Sequence, residues 1–142
     1  MSVRLLLVAP PFAGHLNPLL TLGRGLRERG HDVLFATGAT KVDLVRAHGF
    51  PVTAILPEDP MAFDRISDTT RPVRSDPFRL AGQLRANLAL IPRARADLDR
   101  LVRRERPDVV LADFTAVPAG LVAQDHGIPW LTTMPTPFAL ET

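Results

Sequence analysis

The chain has 142 residues, 46% hydrophobic and 23% charged, which is one domain at most and the makeup of an ordinary soluble globular protein. Its net charge is +2, it has no cysteine, and no stretch approaches the ~20 apolar residues of a membrane span. Disulfides, a thiolate nucleophile, a thiolate metal site and a membrane span are thereby set aside, and a cytoplasmic location is the expectation.

The first apolar run, residues 3–9, suits a strand inside a parallel sheet and is too short for a secretory signal. It breaks at Pro10-Pro11, and the turn continues through Phe12, Ala13, Gly14, His15 and Leu16. Asn17 reads as the N-cap of a helix with Pro18 at its first position, where a missing N–H costs nothing. Leu19, Leu22 and Leu26 share one face of that helix, Arg24, Arg27, Glu28 and Arg29 the other, and Gly30 ends it. Residues 33–37 read as a second strand, 41–48 as a short helix stopped by Gly49, and 52–55 as a third strand. Residues 56–75 have no clear period and contain Pro57, Pro60 and Pro72, the pattern of a long functional loop.

Asp76-Pro77 opens a long helical stretch on Leu80, Leu84, Leu88 and Ile91, kinked or broken at Pro92 and resumed on Leu98, Leu101 and Val102. Arg100, Arg103, Arg104 and Arg106 interleave with Asp97, Asp99 and Glu105 near its end. That is a solvated helix end, not a nucleic-acid surface, which would want stacking aromatics. Pro107 stops the stretch; 109–112 is a fourth strand, 117–126 a helix ending at Gly127, and 129–133 a fifth strand. Residues 134–142 read as loop, so Thr142 looks like a truncation point. Alternating strands and helices imply a doubly wound, Rossmann-like parallel α/β sheet, order 3-2-1-4-5, with helices on both faces.

In that order the sheet reverses between strands one and four, and ligands bind at such a reversal. The loop after strand one carries His15 and the loop after strand four carries Asp113, so topology sets the two across one crevice. Imidazole is the side chain whose ordinary pKa suits proton transfer near neutrality, and a carboxylate on one ring nitrogen leaves the other as a base. The plainer alternative is that Asp113 caps the following helix and His15 packs in a polar turn.

The serines, Ser2, Ser67 and Ser75, lie in no strand-to-helix elbow, so the nucleophile falls to a hydroxyl of the substrate. His31, His48 and His126 flank glycines at helix ends, in structural positions, and no metal-ligand spacing is present. The first turn also lacks G-x-G-x-x-G, and Gly14 alone is a weak phosphate-facing turn.

Several stretches together resemble the acceptor-binding N-terminal half of a glycosyltransferase-B fold enzyme, of the UDP-glycosyltransferase superfamily and its bacterial macrolide-type branch. They are Gly14-His15-Leu16-Asn17-Pro18, the run from Leu26 through Arg27-Glu28-Arg29-Gly30-His31-Asp32 to Val33, the run Pro107-Asp108-Val109-Val110-Leu111-Ala112-Asp113-Phe114, and Gly127-Ile128-Pro129. The resemblance implies inverting, metal-independent transfer of a sugar, a hexosyltransferase reaction of natural-product or antibiotic biosynthesis. A UDP- or dTDP-linked nucleotide sugar is the co-substrate, with no other cofactor. It implies His15 as general base and Asp113 as its partner, with Gly14 at the donor-facing turn. It implies an acceptor pocket of Phe12, Asn17, Met61, Phe63, Leu84, Leu88, Phe114, Met134, Thr136 and Phe138, taking an apolar, hydroxyl-bearing aglycone. The family's donor-binding C-terminal domain is absent from this chain, which is expected to be inactive alone. Leu84 and Leu88 suit core as well as pocket. Two other readings stand beside the enzyme: a non-catalytic acceptor-binding lobe needing a donor-binding partner, and a nucleotide-binding Rossmann domain, against which the missing glycine fingerprint argues.

Overall fold

The computed structural model describes residues 1–66 and 77–134. Five strands, β1 (Arg4–Val8), β2 (Asp32–Gly38), β3 (Val52–Ile55), β4 (Val109–Asp113) and β5 (Trp130–Thr133), form one parallel sheet in the order β3-β2-β1-β4-β5. β1 pairs with β2 through Val8 and Ala36 and with β4 through Val8 and Ala112, so the order reverses at β1 and β4 as expected.

The helices are α1 (Ala13–Glu28), α2 (Val42–Ala47) after a 3₁₀ turn, α3 (Ala62–Ile66), α4 (Pro77–Glu105) and α5 (Val117–Asp125). Alternation along the strands sorts their side chains into two cores. Leu5, Leu7, Phe35 and Leu111 pack with Leu16, Leu19 and Leu20 of α1, whereas Leu6, Val8, Ala36 and Val110 pack with Ala94, Leu98 and Leu101 of α4 and Val122 of α5. Gly30, Gly49 and Gly127 follow α1, α2 and α5 with φ of 85°, 81° and 64°, a left-handed conformation that stops a helix without a Cβ clash.

Three expectations change. α1 begins at Ala13, so Phe12 rather than Asn17 is its N-cap, Pro18 lies inside the helix, and His15 belongs to the first turn. Pro18 withholds one backbone hydrogen bond. Burial of Leu16, Leu19 and Leu20, at about 1.5–3 kcal/mol each, offsets that loss. Within the expected loop, residues 62–66 form α3, which buries Ala62 and packs Phe63 on the core. α4 runs without interruption through Pro92, anchored by the buried Ala94, Leu98, Leu101 and Val102.

The charges at the end of α4 pair as their interleaving suggested: Arg100 with Asp97, Arg103 Nε with Asp99 at 2.7 Å, and Arg104 Nε with Glu105 at 2.8 Å. His126, the C-cap of α5, faces Asp99 across 2.6 Å and ties α5 to α4, and His31 Nδ1 accepts the Val3 N–H at 3.3 Å.

Candidate active site

The chain leaves β1 through Pro10-Pro11, and the Phe12 carbonyl accepts the N–H groups of His15 and Leu16 at 3.0 and 2.8 Å, closing the first turn of α1. On β4, Asp113 falls on the same face as Leu111, the face that α1 covers. The two elements bring His15 Nδ1 to 3.1 Å from both Oδ1 and Oδ2 of Asp113, partners 98 residues apart. The Asp113 side chain is 0% exposed and that of His15 25%.

Asp113 Oδ1 also accepts the Thr115 N–H at 2.9 Å and the Thr115 hydroxyl at 2.6 Å. It does not cap α5, whose N-cap is Ala116 with no side-chain cap bond. A carboxylate only accepts, so the imidazole donates from Nδ1 and carries its lone pair on Nε2. That is the tautomer of a general base. The imidazole lies between two rings, Phe12 edge-on at 6.3 Å and Phe114 tilted at 5.6 Å between centroids.

His15 lines a cavity of about 290 Å³ at the carboxyl ends of β1 and β3, on the α4 face of the sheet. Its walls are mostly apolar: Val8, Ala9, Pro10 and Phe12 from the first strand and turn, Phe63 and Ile66 from α3, Leu90, Ile91, Ala94 and Leu98 from α4. Among the described residues His15, Thr115 and Asn87 are its polar lining, and no Lys or Arg lines it. A small apolar chamber with a few polar anchors is the ordinary form of a small-molecule site.

α3 is held against α4 by charge. Arg93 reaches Glu58 at 2.9 Å and Asp59 at 3.4 Å, and Arg65 reaches Asp59 at 2.5 Å. Hydrogen bonding from Arg65 keeps the Asp59 carboxyl below its ordinary pKa of 3.8. Leu56, which starts this segment, is buried at φ 53° and gives its N–H to Asp97 Oδ2 at 2.8 Å, so a strained backbone position is tied down where the cavity wall begins.

Of the residues expected in the pocket, Phe12 and Phe63 line the cavity and Phe114 flanks His15. Asn17 is exposed on α1, and Gly14 has open space around it. Met61 and Met134 are exposed and do not line the cavity, while Thr136 and Phe138 lie outside the described residues. Leu84 and Leu88, 58% and 54% exposed, are neither core nor cavity wall. The wall is the adjacent stripe of Asn87, Ile91, Ala94 and Leu98, spaced four, three and four. Thr115 and Asn87 line the cavity without having been singled out for it, and neither carries a local sequence signal that marks it.

No family model matches the chain. Over 134 residues it is 34% identical to the elloramycin glycosyltransferase ElmGT of Streptomyces olivaceus, covering 89% of this chain and 35% of that protein. Over 134 residues it is 32% identical to the L-demethylnoviosyl transferase of Streptomyces niveus, covering 91% of this chain and 34% of that one. Its fold matches the crystal structure of the Streptomyces sp. SF2575 glycosyltransferase SsfS6 complexed with thymidine diphosphate, with a TM-score of 0.70 and 28% identity over 92% of this chain and 38% of that one. The chain has the fold of one glycosyltransferase-B lobe and is similar in sequence to Streptomyces sugar transferases.

The chain spans about a third of the length of the curated relatives it matches. Among its described residues no three His, Asp or Glu side chains gather as a metal site would require, and no helix is long and apolar enough to cross a membrane.

Proposed function

We propose that residues 1–142 are the acceptor-binding lobe of an inverting, metal-independent glycosyltransferase, with the nucleotide-sugar site on a second lobe. The carrying observation is His15, in the wall of an apolar cavity beside the sheet's reversal point and bonded to the buried Asp113 behind it. The acceptor's hydroxyl gives its proton to His15 Nε2 as its oxygen attacks the anomeric carbon. The bond from that carbon to the diphosphate breaks on the opposite side, so the configuration inverts. Buried Asp113 stabilises the imidazolium formed in this step, the role a carboxylate plays toward a histidine base.

The cavity walls favour an apolar ring system bearing a hydroxyl, such as a polyketide, macrolide or flavonoid-like aglycone, and placement in the macrolide-type branch is part of this reading. No Lys or Arg lies among the described residues of the cavity wall, and a departing diphosphate needs cationic groups or helix N-termini, which favours a donor site on the second lobe. Thymidine diphosphate in the related SsfS6 structure makes a dTDP-sugar the first donor to try, ahead of a UDP-sugar.

The test is transfer by the full-length protein from dTDP-α-glucose or UDP-α-glucose to a panel of hydroxylated aromatic and macrolide acceptors, with the product's anomeric configuration read by NMR. A β-linked product is expected; an α-linked one contradicts inversion. Calorimetry on residues 1–142 should give millimolar or weaker affinity for either donor, about −4 kcal/mol, and micromolar affinity would put the donor site in the wrong lobe.

A further inference from the structure

Asp113 is buried, and its two oxygens meet three donors among the described residues: the N–H and hydroxyl of Thr115, both on Oδ1, and His15 Nδ1. The backbone bond from Thr115 is available to nearly any residue two positions past an aspartate. The hydroxyl bond is not. At 2.6 Å it is the shortest contact the carboxylate makes, a charge-assisted bond in a water-poor setting. The carboxylate torsion of aspartate is broad and two-fold, so one oxygen must be held if the other is to keep a fixed aim. His15 Nδ1 is equidistant from Oδ1 and Oδ2 and cannot set that torsion alone.

We infer that Thr115 is a positioning residue for the base, its hydroxyl locking the Asp113 carboxylate so that His15 is held as the Nδ1–H tautomer with the lone pair on Nε2. The inference rests on the reading of His15 and Asp113 as the reacting pair. It gives a reason for a threonine here, where the turn itself asks for no hydroxyl.

Thr115→Val keeps the shape and the backbone N–H and removes only the hydroxyl, while Thr115→Ser restores it. In full-length protein labelled with ¹⁵N-histidine and free of substrate, the His15 Nδ1–H resonance is identified by its loss in His15→Gln. Its exchange with water should quicken about tenfold in Thr115→Val, the scale of losing one hydrogen bond to a charged group, and return to within twofold of wild type in Thr115→Ser. In turnover with dTDP-glucose and a hydroxylated aromatic acceptor, Thr115→Val should lower kcat and Thr115→Ser should restore it. An unchanged amide spectrum confirms folding, and Thr115→Ala takes the place of valine if that variant does not fold.

Exchange in the hydroxyl-free variant within twofold of wild type overturns the inference, as does a serine variant that behaves like valine. Failure here is distinguishable from failure of the proposed function. If His15→Ala abolishes transfer while Thr115→Val changes neither exchange nor kcat, only the role of Thr115 falls. If His15→Ala transfers normally, the base assignment falls whatever the exchange rates show.

Discussion

Gly38, the last residue of β2, lies against Pro11 so closely that a Cβ on it would come within 2.6 Å of Pro11 Cγ and 3.0 Å of Phe63 Cδ2. Pro11 belongs to the turn that delivers His15, and Phe63 is a wall of the cavity. One missing methyl group therefore fixes two parts of the site. A proline ring cannot swing aside as a long side chain would, so Gly38→Ala should cost about 1–3 kcal/mol, the scale of overpacking. Urea denaturation of Gly38→Ala against wild type reads that loss directly, and the His15 Nδ1–H resonance should broaden as the turn is displaced.

Acceptor choice should follow the cavity wall and not the apolar stripe beside it. Phe63→Ala and Ile91→Ala should each weaken acceptor binding by roughly tenfold, since each removes a large part of an apolar contact. Leu84→Ala and Leu88→Ala, on the exposed part of α4, should leave acceptor affinity within twofold. Dissociation constants for one acceptor across the four variants decide it, and equal losses in all four would move the pocket outward along α4.

The contact between α4 and α5 should be acid-sensitive in one direction. Hydrogen bonds from Arg103 and then His126 lower the Asp99 pKa from 3.8 to about 2. A depressed carboxylate contributes stability above its unfolded pKa and loses it as pH falls through the folded value. The stability gap between wild type and Asp99→Asn should therefore be full above about pH 5, shrink as pH falls through 3.8 and close only below about pH 2. Urea midpoints of the two proteins across that range provide the check.

Asp113→Asn should lower turnover by about a hundredfold or more while acceptor affinity changes little, the pattern of a partner lost from a histidine base. The amide keeps one accepting oxygen where the carboxylate offers two, yet Thr115 and His15 bring three donors. The amide N–H₂ must then face a donor or drive His15 into the other tautomer. Turnover and acceptor dissociation constants measured together separate this from a binding defect.

The sheet order and the meeting of His15 with Asp113 were legible because strong local signals agree. Apolar strands alternate with helices stopped by Gly30, Gly49 and Gly127, which fixes the topology, and the topology fixes which loops meet. The start of α1 was not legible. Asn17-Pro18 has the chemistry of a helix start, but Leu16 is fully buried, and packing drew the helix back to Ala13 over that local preference. On α4 the apolar spacing marked Ile91, which lines the cavity, together with Leu84 and Leu88, which are exposed among the described residues. Two neighbouring stripes of one long helix share that spacing, and nothing in it tells which stripe faces the cavity.

Whether His15 is the base is read most directly from sugar transfer by full-length His15→Ala, compared with wild type at saturating donor and acceptor. Turnover should be lower by about a hundredfold or more with the thermal midpoint and acceptor affinity preserved, the usual scale for losing a general base. Turnover within a few-fold of wild type in a folded protein that still binds acceptor would contradict it.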